Sequence, residues 1–205
     1  MQHGNVLEPG ERSAGRSFTD PERTLADASV MGRMIGRLRL EAKSWSGRRT
    51  PVEVIAFAGA GCRHWLVVPR PSALRKAHDV TAVGFFGDLR PEMNHAAIYQ
   101  LEAEVVAGLS RYAAHGLLSY YDAELERGIH GNLVLFATRE VPAEWHRDVV
   151  HSRAVSLTPR HYRCLRLHRG IIRGPFLGSD DLVVERTRYF DFRHEPPWHG
   201  MRQFG

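Results

Sequence analysis

The chain has 205 residues, 43% of them hydrophobic and 25% charged, with a formal net charge of +5 and a pI near 9.6. That is enough chain for one substantial core, and no stretch approaches the roughly 18 uninterrupted apolar residues of a membrane span, so the composition excludes a disordered chain and a helical membrane-spanning one. Cys62 and Cys164 are the only cysteines and stand far apart, which excludes a disulfide framework and a CxxC zinc pair; both read as buried thiols.

Residues 1–18 are rich in Gly, Ser, Pro and charge and lack the apolar segment of a secretory signal, so they read as a flexible leader on a cytoplasmic protein. A helix follows within residues 19–50. Thr19 is placed to cap it, Pro21 and Glu22 suit its first turn, and Leu25, Ala28, Met31, Ile35, Leu38 and Ala42 form its apolar stripe. Gly32 and Gly36 read as two tolerated helix glycines. From residue 51, VEVIAFAGAG and CRHWLVVPR are rich in branched and aromatic residues and predict a hairpin closed by Pro69 and Pro71. SALRKAHD fits a linker or short helix.

The element order is most informative from Val80 onward. Val80 to Asp88 predicts a strand, and Pro91 suits the start of a helix with the stripe Ile98, Leu101, Val105, Leu109 and Tyr112, stopped by Gly116. LLSYYDAELE and NLVLFATRE predict a second hairpin around a turn at Arg127 to Gly131. Pro142 opens one helix with His146, Val149, Val150, Ala154 and Leu157 on a face, ended by Pro159. YRCLRLHRGII and LVVERTRYFDF are two further strands, and residues 193–205 read as a tail without period.

This order predicts an α+β fold: a β-α-β-β-α-β sheet with an added C-terminal strand, preceded by a β-hairpin and a leading helix, in one core domain over residues 51–192. The second sheet face must also be covered, by the N-terminal elements or by a second copy. In order and length the segment from Val80 to Phe192 resembles the ferredoxin-like units of the dimeric α+β barrel superfamily. The resemblance implies a homo-oligomer and a small-molecule pocket between sheet and helices. It also implies an activity among those of its members: cofactor-free monooxygenases, muconolactone isomerase-like enzymes, heme-degrading oxygenases and heme-dependent chlorite dismutase-like enzymes. The expectation is therefore a small-molecule oxygenase or isomerase with heme as its cofactor if it has one, or else a non-catalytic binding protein of the same pocket.

Nucleotide, serine-hydrolase and zincin motifs are absent. Of twelve histidines, His146, His151, His161 and His168 lie close together. His151 or His146 is the candidate axial iron ligand, since imidazole suits that role. Asp88 at a strand end and Tyr120 beside Asp122 on one strand face are candidate acid-base groups, against a helix-capping role for Asp88. By alternation Tyr162, Arg166 and His168 share one face of their strand, where they would orient an anionic substrate or heme propionates. The arginines are spread along the chain and lysine occurs only at Lys43 and Lys76, so nucleic acid is not an expected partner.

Overall fold

In the computed structural model, which describes residues 5–58, 62–125 and 128–204, the fold is α+β. Among the described residues there is a single nine-stranded mixed sheet with five α-helices. The strands are β1 (Asn5–Leu7), β2 (Val52–Ala58), β3 (Cys62–Val68), β4 (His78–Leu89), β5 (Leu117–Leu125), β6 (Ile129–Phe136), β7 (Tyr162–Pro175), β8 (Leu182–Asp191) and β9 (Trp198–Gln203). The helices are α1 (Pro21–Lys43), α2 (Pro71–Lys76), α3 (Ala96–Tyr112), α4 (Ala143–Arg147) and α5 (Val149–His161). Across the sheet the order is β1-β9-β8-β7-β4-β6-β5-β3-β2, antiparallel throughout except for β1 beside β9. The hairpin turn at Gly59 to Gly61, the side chain of Cys62, and Arg127 of the second turn lie outside the described residues.

The central strands β5 and β6 are buried on both faces. Helix α1 lays Met31, Met34, Ile35, Leu38 and Ala42 on one face, against Phe86, Ala82, Tyr121, Leu133 and Leu135, and α2 adds Leu74. The other face receives Val105, Leu109 and Tyr112 of α3 and Trp145 of α4, over Tyr120, Val134 and Phe136. The layers are helix, sheet, helix, with apolar surface removed from water on both sides. The second face is thus covered within one chain by α1. The β2–β3 hairpin does not cover a face; it extends the sheet, with β3 pairing β5.

Two features of α1 differ from the sequence reading. Its cap is Asp20, whose carboxylate accepts the Glu22 N–H at 3.0 Å, while the Thr19 hydroxyl is spent on the Arg16 carbonyl in the preceding turn. Leu25 is 71% exposed, and Thr24 and Asp27 turn inward in its place. The stripe was misjudged there because polar groups on β7 and β8 await α1, so its polar residues are the buried ones.

Helix α3 buries all five expected residues, and the 3-10 turn that continues it, Ala113–His115, stops at Gly116 in the left-handed region, φ 95°. The helix begins at Ala96, with His95 rather than Pro91 at its entrance. The single helix expected from Pro142 is two helices. Asp148 is extended (φ −63°, ψ 131°), and its carboxylate caps α5 by accepting the His151 N–H at 2.8 Å. Pro159 lies inside α5 rather than ending it.

Both chain ends also depart from expectation. The leader supplies β1 and the tail supplies β9, with Asn5 paired to Gly200 and Leu7 to Arg202. Arg202 is fully buried and donates to the carbonyls of Glu8, Glu11 and Thr19. Residues 5–18 are therefore built into the fold rather than trailing from it. No helix among the described residues is long and apolar enough to cross a membrane.

Candidate functional site

Two buried polar networks lie on opposite faces of the sheet. On the α1 face, Arg166 donates to Asp27 through Nε (2.5 Å) and Nη2 (3.3 Å) and to Asp88 through Nη1 (3.3 Å). His168 Nε2 donates to Asp27 Oδ2 at 2.9 Å, and its Nδ1 meets the Thr187 hydroxyl at 2.8 Å. Burial raises the Asp27 pKa, but His168 and Arg166 outweigh it and hold the carboxyl below its ordinary value. Every polar atom of Arg166 and His168 is engaged. The network ties α1 to the sheet and leaves nothing over for a ligand.

The sequence candidates Asp88, Arg166 and His168 all belong to this network. Asp88 caps no helix, since α3 starts eight residues later; it bridges to Arg166. Cys164 beside it is buried, and burial followed by the Asp88 charge pushes its thiol up to about 12. Tyr162 does not share their face. The β4–β7 register skips a residue, pairing Leu89 with Tyr162 but Asp88 with Cys164. That bulge reverses the alternation and sends Tyr162 to the α3 side.

The second network is on the α3 face. Asp122 of β5 and His130 of β6 are directly hydrogen-bonded, and His130 Nδ1 meets the Tyr162 hydroxyl at 2.7 Å. Glu102 of α3 reaches down to them. Arg63 of β3 bridges the carboxylates, donating through Nη2 to Glu102 at 3.0 Å and to Asp122 at 3.3 Å. Asp122 is fully buried, and Glu102 and His130 are nearly so. Gly87 makes room beneath: a Cβ there would lie 2.3 Å from the Tyr162 ring.

The electrostatics of this group are divided. Burial works against the imidazolium of His130, yet the Asp122 carboxylate and then Glu102 outweigh it and raise its pKa above the ordinary value. Burial likewise raises Asp122, but His130, a hydrogen bond with Glu102 and the Arg63 charge take it below the usual range. Asp122 and His130 thus form an ion pair. Glu102 bears the cost: burial first, then the Asp122 charge, push it up to about 7 against His130 and Arg63. Tyr120, two residues before Asp122 on the same face, is held well above its usual pKa by burial and by these carboxyls, so its phenol stays protonated.

Unlike its counterpart, this network is incomplete. Glu102 Oε1 and Arg63 Nε are buried and have no hydrogen-bond partner among the described residues. Arg63 Nε lies 3.8 Å from Glu124 Oε1, too far for a hydrogen bond, so the cluster offers a polar ligand one acceptor and one donor without hydrogen-bond partners. The ligand atoms of Glu102, Asp122 and His130 also lie within 4.8 Å of one another, a donor set that suits a divalent cation. Arg63 already neutralises both carboxylates, so a cation would have to displace it. A groove of about 350 Å³ lined by Trp65, Val67, Ala103 and Val106 runs between α3 and the β2–β3 edge. It adjoins the cluster through Trp65, whose register partner is Asp122 and whose ring lies 5.3 Å from the Arg63 guanidinium carbon.

The histidines singled out for heme stand elsewhere. His146 is exposed on α4, and His151 is at the start of α5 with its ring 4.9 Å from Trp145. Neither borders the groove beside Trp65 or a second one of about 360 Å³ near Arg48 and Arg75. His161 pairs with His95 instead, Nδ1 to Nδ1 at 3.2 Å. Sequence reasoning missed Glu102, His130 and Arg63. His130 fell in the expected turn, because Gly128 and Gly131 bracket it.

In comparisons with known proteins, the chain matches no family model, no curated protein and no solved structure.

Proposed function

We propose that the chain is a small-molecule enzyme that moves a proton, an isomerase-type activity with Glu102 as the group that takes and returns it. The observation that carries this is the buried Glu102 oxygen without a protein partner beside the Asp122–His130 ion pair. A carboxyl titrating near neutrality abstracts a proton from a carbon beside a carbonyl and delivers it to a neighbouring carbon. One C–H bond breaks and an O–H bond forms, then the O–H breaks and a new C–H forms. In this reading Arg63, whose Nε has no hydrogen-bond partner, stabilises the enolate charge as it develops. No cofactor is needed to balance this step.

The strand order β7-β4-β6-β5, antiparallel at each step, with α3 and α5 as the two crossovers, supports reading residues 78–175 as a ferredoxin-like unit. The flanking strands and α1 are additions to it. The alternative reading is a carrier that uses the groove beside Trp65 without turnover.

Proton exchange separates the two. Incubated in D2O with a panel of enolisable ketones and keto acids, the protein should wash deuterium into at least one of them by proton NMR. Glu102→Gln should slow that exchange by at least about a hundredfold. Saturable binding without exchange would favour the carrier, and unchanged exchange in Glu102→Gln would remove Glu102 from the reaction.

A further inference from the structure

Part of the positive charge that looks dispersed in the sequence is brought together by the fold at one corner. A groove of about 360 Å³ is lined by Arg48 and Arg49 from the turn after α1 and by Arg75 and Lys76 from α2, with Ser46, Gly47 and Ser72 between them. Lys43 ends α1 just before that turn, so both lysines of the chain flank this corner. No carboxylate lines the groove.

Elsewhere several arginines are compensated, some by carboxylates and the fully buried Arg202 by backbone carbonyls. Arg63, Arg166, Arg169 and Arg193 each lie within 4.0 Å of a carboxylate. Among the described residues Lys43, Arg48, Arg49, Arg75 and Lys76 have no such partner. Gathering like charges around one concavity costs free energy that a bound anion recovers.

The walls of the groove are also fixed. Trp45 is buried in the core, and the Arg48 N–H closes the turn onto its carbonyl at 3.1 Å. Leu74 and Pro71 bury the inner side of α2. Arg75 is pinned by donating through Nη1 to the carbonyls of Ala42 and Lys43, which leaves the rest of its guanidinium for the groove. Gly47 has φ +75° and open space around it, so at that position the turn adds no side chain to the cleft.

From this arrangement we infer an anion site of the fold, one that takes a small ligand bearing a diphosphate or an equivalent pair of phosphate charges. Arginine forks and lysine ammonium groups converging on a bounded cleft suit a compact phosphorylated molecule. A nucleic-acid strand would instead call for a stripe of cations interleaved with aromatic platforms, and this lining contains no aromatic residue. The inference is independent of the proton-transfer reading, because none of these residues belongs to the Glu102 cluster.

Calorimetric titration of the full chain with sodium pyrophosphate tests it. The expected result is saturable binding at one site, weakened at least tenfold in Arg49→Ala/Lys76→Ala and retained in Glu102→Gln. As a check that needs no variant, pyrophosphate added to the wild type should shift the amide resonances of residues 46–49 and 72–76. Absence of binding, amide shifts confined to other residues, or affinity unchanged in a folded double variant would each overturn the site. Binding of a 20-nucleotide RNA with none of pyrophosphate would also overturn it, assigning the corner to a polymer.

Discussion

Glu102 is the residue at which function and stability pull apart. Its carboxyl, ordinarily near 4.5, is pushed up to about 7 by burial and by Asp122. A folded-state pKa above the unfolded one means that the associated stability is fully present below pH 4.5 and is lost as pH rises through 7. Above that, the ionised Glu102 weakens the fold by about 3 kcal/mol. Glu102→Gln should therefore raise the urea midpoint at pH 8 while leaving it nearly unchanged at pH 4. A variant no more stable at pH 8 than the wild type would show that Glu102 carries no such strain. Of this cluster, the sequence reading placed Tyr120 and Asp122 on a common face, because strand alternation is a local property. It could not place Tyr162, whose side was reversed by a one-residue bulge, nor Glu102, which sits next to Leu101 on the helix and looks like ordinary solvated polarity.

Among the elements, the break between α4 and α5 rests on one carboxylate. Asp148 accepts the His151 N–H and the Tyr112 hydroxyl, and an ion pair with Arg111 adds to these. Burial opposes its charge, but the Tyr112 bond, the backbone bonds and Arg111 keep its pKa below the usual range, while the Tyr112 phenol is pushed up to about 12 by burial and by the Asp148 carboxylate. Asp148→Ala removes the cap and leaves a partly buried hydroxyl without its acceptor, a loss of about 2 kcal/mol by urea unfolding. A loss below 0.5 kcal/mol would mean that packing of Trp145 alone sets the break. Helix α3 was legible because five apolar residues at helical spacing meet one face of the sheet. The paired break was not, since nothing in the spacing of His146 and His151 distinguishes one helix from two. Strands β1 and β9 were illegible for another reason. Their place comes from backbone pairing with each other and with β8, and β9 carries Gly200 and Trp198 in a segment dominated by turn residues.

For the molecule as a whole, α1 is part of the core rather than an appendage to it. It brings the apolar row from Met31 to Ala42, and its Asp27 neutralises Arg166, whose side chain is 2% exposed. Asp27→Asn would leave that guanidinium with the half-buried Asp88 as its one carboxylate partner, with an expected loss of about 3 kcal/mol at pH 7. The Asp27 pKa is depressed in the fold, so its stabilisation is present above the unfolded value of 3.8 and disappears as pH falls through the folded one. Wild type and variant should accordingly converge in thermal unfolding as pH is lowered through the folded-state titration of Asp27. A gap that persists there would assign the loss to packing rather than to charge.

The pairing of Asn5 with Gly200 brings residues 195 positions apart into adjacent strands. Because the two strands run parallel, residue 204 lies beyond the end of β1 opposite residue 5, and a linker of about a dozen residues would be needed to carry the chain back along the pair. New termini could then be opened in the exposed turn at residues 46–49 without cutting a strand ladder. In such a permuted chain α1 and the sheet it covers would be joined through the clasp instead of through that turn.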